Sequence, residues 1–503
     1  MRLKISFLLA ALWLFVSPSF LFAGNVRVSD DTDECLECHR TVTPGIVADW
    51  ENSRHSKVTL SVAMKTGTLE RRVSCATIPA GLGDTAVGCA ECHTANSSSH
   101  EDTFEHNGFD VHIAVTPEDC AICHPAEEKQ YRGNLMSMAY PNLKGNPLYR
   151  KLMDTVNSVA TWENGKTEAG MPTTATENLS CLVCHGTKVE VKGMKTRETK
   201  LGDMDFPVLT GWPNDGVGRL NPDGSKGSCS ACHTRHAFSI SEARKPEACA
   251  ACHKGIDVPA YRVYSVSKHG ARYKDMNNKW NFEAVPWEAG KDFTAPTCAT
   301  CHVSLVTADG ETVVKRTHRM NDRNAYRLLG LIYAHPHPGS PDTTVIKNSA
   351  GLHLATELTG EPVSAFLIDK KEQGRREAEM KRLCLCCHST QWTDNHFDGI
   401  KNAIKTTNAM TLSATRIILD AWDKGLASGL PDNIFDEGIE RMWVEQWLFY
   451  ANSVRFAAAM SGADYGVFDN GLWYLSKNMR QMSELLKLME SARPHGKQQK
   501  NRQ

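Results

Sequence analysis

One short motif, Cys-x-x-Cys-His, recurs eight times and uses sixteen of the eighteen cysteines in the chain. Two thiols at this spacing add across the two vinyl groups of one haem, and the adjacent imidazole then binds the iron. Neither a disulfide framework nor structural zinc requires a histidine directly after every second cysteine. The sequence therefore predicts eight covalently attached c-type haems. The attachment residues are Cys35, Cys38, Cys89, Cys92, Cys120, Cys123, Cys181, Cys184, Cys229, Cys232, Cys249, Cys252, Cys298, Cys301, Cys384 and Cys387.

The last residue of each motif is the predicted proximal ligand of its haem iron. These ligands are His39, His93, His124, His185, His233, His253, His302 and His388. Two cysteines do not belong to the pattern. Cys386 lies inside the eighth motif and is interpreted as a bystander, and Cys75 is interpreted as structural.

Twelve of the twenty histidines remain after the proximal ligands. A second strong axial ligand saturates a haem iron and suits it to electron transfer, so this number permits eight bis-histidine haems without proving them. The predicted distal ligands are His55, His106, His112, His236, His269, His318 and His396. The Ala-His-Pro-His-Pro segment at 334–338 is interpreted either as a source of a ligand or as a rigid turn, because its prolines hold the backbone extended.

The N-terminus has the pattern of an export signal. Arg2 and Lys4 precede an apolar run at 5–16, which is shorter than the roughly 20 residues of a membrane-spanning helix. We predict a signal peptide at 1–23 and a mature chain in the periplasm, or otherwise exported, without a membrane span. The 57 basic and 58 acidic residues nearly cancel, so charge gives no reason to expect a nucleic-acid partner.

The pattern between the motifs predicts a mainly α fold with little sheet. Short helical patches separated by Gly, Pro, Asn and Asp indicate a haem-wrapped region at 24–398, whose core consists largely of porphyrin. Apolar residues at helical spacing then predict three long helices, at 403–424, 434–460 and 471–491, within a C-terminal region at 399–492. A polar tail follows at 493–503. The large aromatic residues of the three helices are interpreted either as core or as contacts to a partner subunit.

The chain resembles the octahaem hydroxylamine oxidoreductase family over its mature length. The resemblance rests on eight motifs followed by haem-free helices, and on CSACHTRH at 229–236, SKHG at 267–270, APTCATCH at 295–302 and GADY at 462–465. It implies a homotrimer, seven bis-histidine haems and a catalytic haem at the fourth motif with an open distal face. That haem corresponds here to Cys181, Cys184 and His185.

The resemblance also implies three catalytic candidates. A tyrosine of a neighbouring subunit is bonded to the catalytic haem in the oxidising members of the family, and Tyr465 corresponds to it. The distal Asp-His pair of the family reads Asp257-Val258 here, with Tyr326 as a further polar candidate. Because valine cannot accept the protons that hydroxylamine oxidation releases, reduction of nitrite or hydroxylamine is nearly as well supported as oxidation.

The functional hypothesis is therefore an oxidoreductase for a small inorganic nitrogen compound, which exchanges electrons with a cytochrome or a quinone-linked carrier. An alternative is a pure electron-transfer protein in which all eight irons are saturated. A third reading, a relative of the octahaem tetrathionate reductases with a lysine ligand, is weaker because all eight motifs are intact.

The haem load is directly measurable by mass spectrometry. We expect the denatured mature protein to exceed the mass of its polypeptide by eight haems, since thioether bonds survive denaturation. The same chain produced without haem attachment provides the reference mass. A fully matured protein with seven haems or fewer would contradict the octahaem prediction.

Overall fold

The computed structural model describes residues 26–493. The predicted signal peptide, His495 and the polar tail beyond residue 493 lie outside the described residues. Within them, no helix has the length and apolar character needed to cross a bilayer.

The described residues are mainly helical, which confirms the predicted fold class. The α-helices are α1 Asp30–Val42, α2 Pro44–Asn52, α3 Leu60–Lys65, α4 Cys89–His93, α5 Pro117–Cys120, α6 Pro125–Arg132, α7 Ala139–Gly145, α8 Pro147–Asn157, α9 Thr174–Leu179, α10 Cys181–His185, α11 Ile240–Arg244, α12 Pro246–Ala250, α13 Ala260–Val266, α14 Lys268–Met276, α15 Cys298–His302, α16 Lys370–Leu385, α17 Thr390–Asp423, α18 Gly438–Val444, α19 Ala451–Met460, α20 Ala463–Val467 and α21 Leu472–Ser491.

Strands are short and form only small sheets within residues 26–493. They are β1 Phe104–His106, β2 Phe109–Val111, β3 Ala160–Glu163, β4 Lys166–Ala169, β5 Glu190–Thr199, β6 Gly202–Thr210, β7 Trp287–Glu288, β8 Val306–Ala308, β9 Glu311–Val314, β10 Tyr326–Arg327 and β11 His335–Pro336. The pairs β1–β2, β3–β4, β5–β6 and β10–β11 are antiparallel, and β8 joins β7 in parallel and β9 in antiparallel fashion.

Several haem-attachment motifs form a single helical turn. Three motifs each occupy one complete short helix, namely α4, α10 and α15. Residues three and four apart lie on the same face of a helix, so one turn brings the two thiols and the imidazole of a motif to one side. The local helix therefore presents both attachment points and the iron ligand together.

The C-terminal region contains long helices, with bounds that differ from the predicted ones. The first, α17, begins at Thr390 because the Ser389 hydroxyl accepts the Trp392 N–H at 3.3 Å, and it crosses residue 399 without a break. The second predicted helix is continuous from α18 through a π-helical turn, Glu445–Tyr450, to α19. The third is α21.

A conventional hydrophobic core joins these helices to the preceding region. Trp443 and Trp447 are fully buried and pack with Ile418, Met482 and Tyr333. For these two tryptophans, the core interpretation is confirmed. Trp473 differs, since 60% of its surface is exposed.

The segment Ser-Lys-His-Gly at 267–270 has a clear structural explanation. The Ser267 hydroxyl caps α14 by accepting the Gly270 N–H at 3.2 Å. A Cβ on Gly270 would lie 2.1 Å from the Tyr264 carbonyl oxygen, so only glycine permits α13 and α14 to approach this closely. Together the two residues fix the position of His269, which lies between them.

Gly270→Ala is therefore expected to destabilise the fold by about 1–3 kcal/mol, because the added methyl group must displace backbone. Gly374→Ala is the matched control, since its Cβ would meet nothing within 4 Å. It should raise stability by about 0.5–1 kcal/mol, because alanine favours the helix. Urea unfolding followed by circular dichroism measures both changes. Equal effects of the two substitutions would show that close packing does not determine position 270.

Candidate functional site

Six complete motifs, the third to the eighth, line a large cavity of about 2240 Å³. Cys92 of the second motif also reaches it. Folded protein interiors contain few voids larger than a water molecule, so a cavity of this size among attachment residues requires a large occupant. The thiols and imidazoles on its walls are the groups that bind haem covalently and axially. The residues present therefore fit haem.

The spacing of the imidazoles provides an independent test of that fit. An iron bound to two imidazole nitrogens at about 2 Å each separates the ring centroids by about 6 Å. Four motif histidines face a second histidine at this separation: His39 with His106 at 6.2 Å, His124 with His55 at 6.3 Å, His233 with His318 at 6.4 Å, and His388 with His269 at 6.1 Å. Each pair leaves room for one iron between its rings.

Burial keeps several of these imidazoles neutral. It lowers the pKa of His55 to about 4 and that of His318 to about 3. In addition, Nδ1 of His106 and of His318 is buried without a hydrogen-bond partner. Neutral imidazole is the form that binds metal ions, so the buried rings are in the state that ligation needs.

His112 does not lie where it could be the distal ligand of the haem held by His93. The ring centroids of His93 and His112 are 6.0 Å apart, but Nδ1 of His93 donates to the carbonyl oxygen of His112 at 2.8 Å. The backbone of His112 therefore lies behind the His93 ring, on the side away from Nε2. From there its side chain cannot reach the opposite face of a haem bound through Nε2 of His93. This geometry excludes His112 as the partner of His93, and its role as a distal ligand of another haem stays a prediction.

His236 and His396 are not opposite a motif histidine at pair distance within the described residues. His236 follows the fifth motif with a left-handed φ of 67° and lies close enough to His93 to lower its pKa. His396 stacks on Trp392, with the ring centroids 5.1 Å apart, and Trp392 stacks on His388 at 3.9 Å. His396 also lines the cavity.

The Ala-His-Pro-His-Pro segment contributes one histidine to the cavity. His335 and His337 are both buried, and Nδ1 of each points at the carbonyl oxygen of the following proline, at 2.7 Å and 3.2 Å. This leaves Nε2 available, an arrangement common in metal-bound histidines. His337 lines the large cavity and His335 lines a smaller neighbouring pocket.

Cysteines of different motifs are adjacent in space. The side chains of Cys120 and Cys229 are in contact, and this joins the third motif to the fifth. Cys252 contacts Cys184, while its neighbour Cys249 contacts Cys298, so the sixth motif adjoins both the fourth and the seventh. Haems attached to these motifs would therefore be neighbours.

The fourth motif differs from the paired ones. Nδ1 of His185 lies 3.4 Å from the Ala139 carbonyl oxygen, and no described imidazole faces the ring at pair distance. Burial lowers the pKa of His185, against the opposing effect of Asp257. Gly186 has a φ of 91°, and a Cβ there would lie 2.3 Å from the Arg219 nitrogen. Glycine thus allows the chain to turn sharply after this ligand.

Two catalytic candidates share the cavity with His185. Asp257 and Tyr326 both line it, together with Val258 and Arg327. The Asp257 carbonyl oxygen accepts a hydrogen bond from Asn452 of α19 at 2.9 Å. Arg327 was not predicted from the sequence, because an arginine next to a tyrosine is not part of any recognisable functional motif. Its Nε donates to the Leu329 carbonyl oxygen at 2.9 Å, which fixes the guanidinium.

Tyr465 lies apart from these residues in the single chain. It stands on α20 beside Asp469 and Arg262, and it does not line the cavity. Burial and the Asp469 carboxylate raise the pKa of its phenol. Nearby apolar side chains are unusually exposed, including Phe468 at 64%.

Comparison with known proteins identifies the class of protein. Residues 222–326 match the family described as seven times multi-haem cytochrome CxxCH, and residues 34–118 match cytochrome c554 and c-prime. A solved structure called a hypothetical multiheme protein is 39% identical, and the match covers 93% of this chain and 98% of that chain with a TM-score of 0.88. The chain belongs to the multihaem c-type cytochromes.

Two further relatives of this multihaem cytochrome come from Kuenenia stuttgartiensis. A probable nitrite reductase-hydroxylamine oxidoreductase fusion protein is 28% identical over 308 residues, covering 58% of this cytochrome and only 28% of the relative. A solved reducing HAO-like protein complex, Kustc0457/Kustc0458, is 19% identical, with 92% of this chain and 85% of that chain covered and a TM-score of 0.59. The second likeness shows the fold alone.

The paired imidazoles give a spectroscopic prediction for this cytochrome. His318→Ala should leave the iron of His233 with one protein ligand, so one additional haem becomes high-spin in an electron paramagnetic resonance spectrum. Added imidazole should restore the low-spin signal by filling the vacated position. His353→Ala, outside the cavity, is the control and should match the wild type. A wholly low-spin His233 haem in the His318 variant would contradict the pairing.

Proposed function

We propose that this cytochrome is an octahaem oxidoreductase of the hydroxylamine oxidoreductase type, which converts a small inorganic nitrogen compound at its fourth haem. The observation that carries the proposal is the environment of His185. Four motif histidines face a second imidazole, whereas His185 lies close enough to Asp257 and Arg327 for their charges to shift its pKa, and Tyr326 lines the same cavity. Similarity to a probable nitrite reductase-hydroxylamine oxidoreductase fusion supports nitrogen chemistry.

The number of histidines available as distal ligands supports one haem without a second protein ligand. Beyond the four pairs, His93, His253 and His302 need a ligand. His236 lies close to His93, and the two imidazoles His337 and His396 line the cavity together with His253 and His302. We therefore assign these three histidines to the three remaining haems. His337 comes from the Ala-His-Pro-His-Pro segment, which the sequence left open between a ligand source and a rigid turn. Seven haems are then bis-histidine and the haem of His185 is left open.

The residues around the open face suit an anion that exchanges protons. A bound haem supplies an open coordination position and exchanges electrons. The Arg327 guanidinium provides a positive charge that attracts a small anion such as nitrite. Asp257 is exposed and can pass protons between solvent and the pocket, while Tyr326 offers a hydroxyl group. Because residue 258 is valine and not histidine, these three residues favour reduction of nitrite or hydroxylamine over oxidation of hydroxylamine.

The remaining haems serve as a relay. Contact between Cys184 and Cys252, and between Cys249 and Cys298, supports a route from the fourth motif through the sixth to the seventh. Cys301 of the seventh motif lies close enough to Cys384 of the eighth for that thiol to raise the pKa of Cys301, although burial is the larger cause. Electrons are exchanged with an external cytochrome or a quinone-linked carrier after export to the periplasm.

A homotrimer completes the proposed site. Tyr465 does not line the cavity of its own chain, and exposed apolar residues surround it, among them Val467, Phe468 and Leu472. Burial of this face against another copy would bring Tyr465 of a neighbouring subunit to the fourth haem. A covalent bond there remains part of the proposal for the oxidising direction.

The wild-type protein distinguishes an enzyme from a pure electron carrier. We expect one of eight haems to be high-spin in the resting protein, and nitrite or hydroxylamine to change that signal and to be turned over. A protein with eight low-spin haems and no response to either compound would be an electron carrier.

Val258→His tests what sets the direction of catalysis. An imidazole beside Asp257 should accept protons, and it should raise hydroxylamine oxidation relative to nitrite reduction by up to about 10²-fold. Val266→His is the matched control, because Val266 is exposed on α13 and does not line the cavity. Steady-state rates in both directions give the ratio. If Val258→His and its control give the same ratio as the wild type, position 258 does not set direction.

A further inference from the structure

A buried polar cluster lies beside the second motif. Its members are His100, Asp102, His112 and Asp119, whose side chains are at most 2% exposed. The two imidazole rings are stacked with centroids 3.7 Å apart and planes 7° from parallel. Asp119 also lines the large cavity, but the proposed function assigns none of the four residues to a haem, so the cluster needs an explanation of its own.

Three potential metal ligands converge in this cluster. Nε2 of His100 lies 3.3 Å from the Asp119 carboxylate, and Nε2 of His112 lies 3.4 Å from it. One donor atom from each of these three residues lies within 4.8 Å of the other two. Two imidazole nitrogens and one carboxylate oxygen therefore face a common point.

Further hydrogen bonds hold the potential metal ligands His100 and Asp119 in position. Asp102 contacts Nδ1 of His100 through Oδ1 at 3.3 Å, while its Oδ2 accepts the N–H groups of Ile113 at 3.0 Å and Ala114 at 2.8 Å. A carboxylate bound to the far nitrogen of a histidine orients Nε2 and raises its basicity, as in carboxylate–histidine–zinc sites. The Asp119 carboxylate is held by a backbone group, since it accepts a hydrogen bond from the Thr116 N–H at 2.8 Å.

His112 supplies the observation that points to a ligand. Both of its ring nitrogens are fully buried and neither makes a well-oriented hydrogen bond, although Nε2 lies 3.4 Å from the Asp119 carboxylate. A buried polar group without a partner costs free energy, so such groups in folded proteins are normally bound by something. A haem opposite His93 does not satisfy this ring, because the His112 backbone lies behind His93.

We propose that His100, His112 and Asp119 bind a non-haem divalent cation between the second and third motifs. Two imidazole nitrogens and one carboxylate oxygen are a donor set that suits Zn²⁺ rather than Ca²⁺ or Mg²⁺, which prefer oxygen ligands. Three protein donors leave the fourth position of a tetrahedral ion for water. The cation neutralises the two buried carboxylates of Asp102 and Asp119.

The site also adjoins a haem ligand. Nδ1 of His93 donates to the carbonyl oxygen of the same residue, His112, whose ring would bind the cation. A positive charge behind the proximal histidine disfavours the oxidised, more positive state of the second haem. Removal of the cation should therefore lower the reduction potential of one haem.

The test uses the holoprotein with its full haem load. After dialysis against a chelator, Zn²⁺ alone is added, unbound ion is removed by gel filtration, and zinc and iron are counted by mass spectrometry. We expect one zinc per eight irons. His112→Gln and Asp119→Asn should lose this zinc, whereas His353→Gln, a half-buried histidine outside the cluster, should keep it.

A milder variant keeps the test decisive if the others fail to fold. Asp102→Asn removes no ligand, and the loss of its charge behind His100 should weaken zinc binding roughly 10–100-fold. Haem content and sedimentation verify that each variant is folded. Absence of stoichiometric zinc from the folded wild type would overturn the proposal in favour of a metal-free network of imidazole and carboxylate groups. Unchanged zinc binding in folded Asp102→Asn and His112→Gln would overturn it as well.

Discussion

The attachment of haem at Cys-x-x-Cys-His is the constraint on which the rest of the structure depends. Each motif fixes a porphyrin by two covalent bonds and one axial bond, so the chain around it needs little regular structure of its own. That is why short helices and small hairpins suffice over most of residues 26–388, and why their walls enclose a cavity of about 2240 Å³. The apolar faces of the haems complete the core that the side chains leave unfilled.

The C-terminal helices form a conventional core, and they also hold the candidate pocket in place. Arg455 of α19 is fully buried and donates to the Leu328 carbonyl oxygen at 3.0 Å, directly after Tyr326 and Arg327. Asn452, one turn earlier, donates to the Asp257 carbonyl oxygen at 2.9 Å. One helix thus positions the two loops that carry the polar residues around His185. A helical region expected to serve assembly also positions the proposed substrate site.

The sequence predicts the motifs well because they are local, and the distal histidines less well because they depend on tertiary structure. Ring spacing places His55, His106, His269 and His318 opposite motif histidines, although their ligand role stays a prediction. For His112 the sequence does not show which haem it could serve, since only folding places its backbone behind His93. The same limit applies to Arg327. The early start of α17 differs, because the Ser389 cap that determines it is a local signal, which the predicted helix bound did not use.

Charge in the proposed pocket bears on the chemistry more directly than the near-neutral charge of the whole chain. Arg327 is fixed by the Leu329 carbonyl oxygen, so its guanidinium cannot easily move away from the cavity it lines. Asp257 lies in the same cavity and reaches solvent. A fixed cation draws in a small anion, and an exposed carboxylate replenishes protons from water. Reduction consumes protons while oxidation must dispose of them near the reacting nitrogen. A pocket with a cation, a solvent-linked carboxylate and valine in place of imidazole therefore supports the proposed direction, reduction, which takes up protons, over oxidation, which releases them.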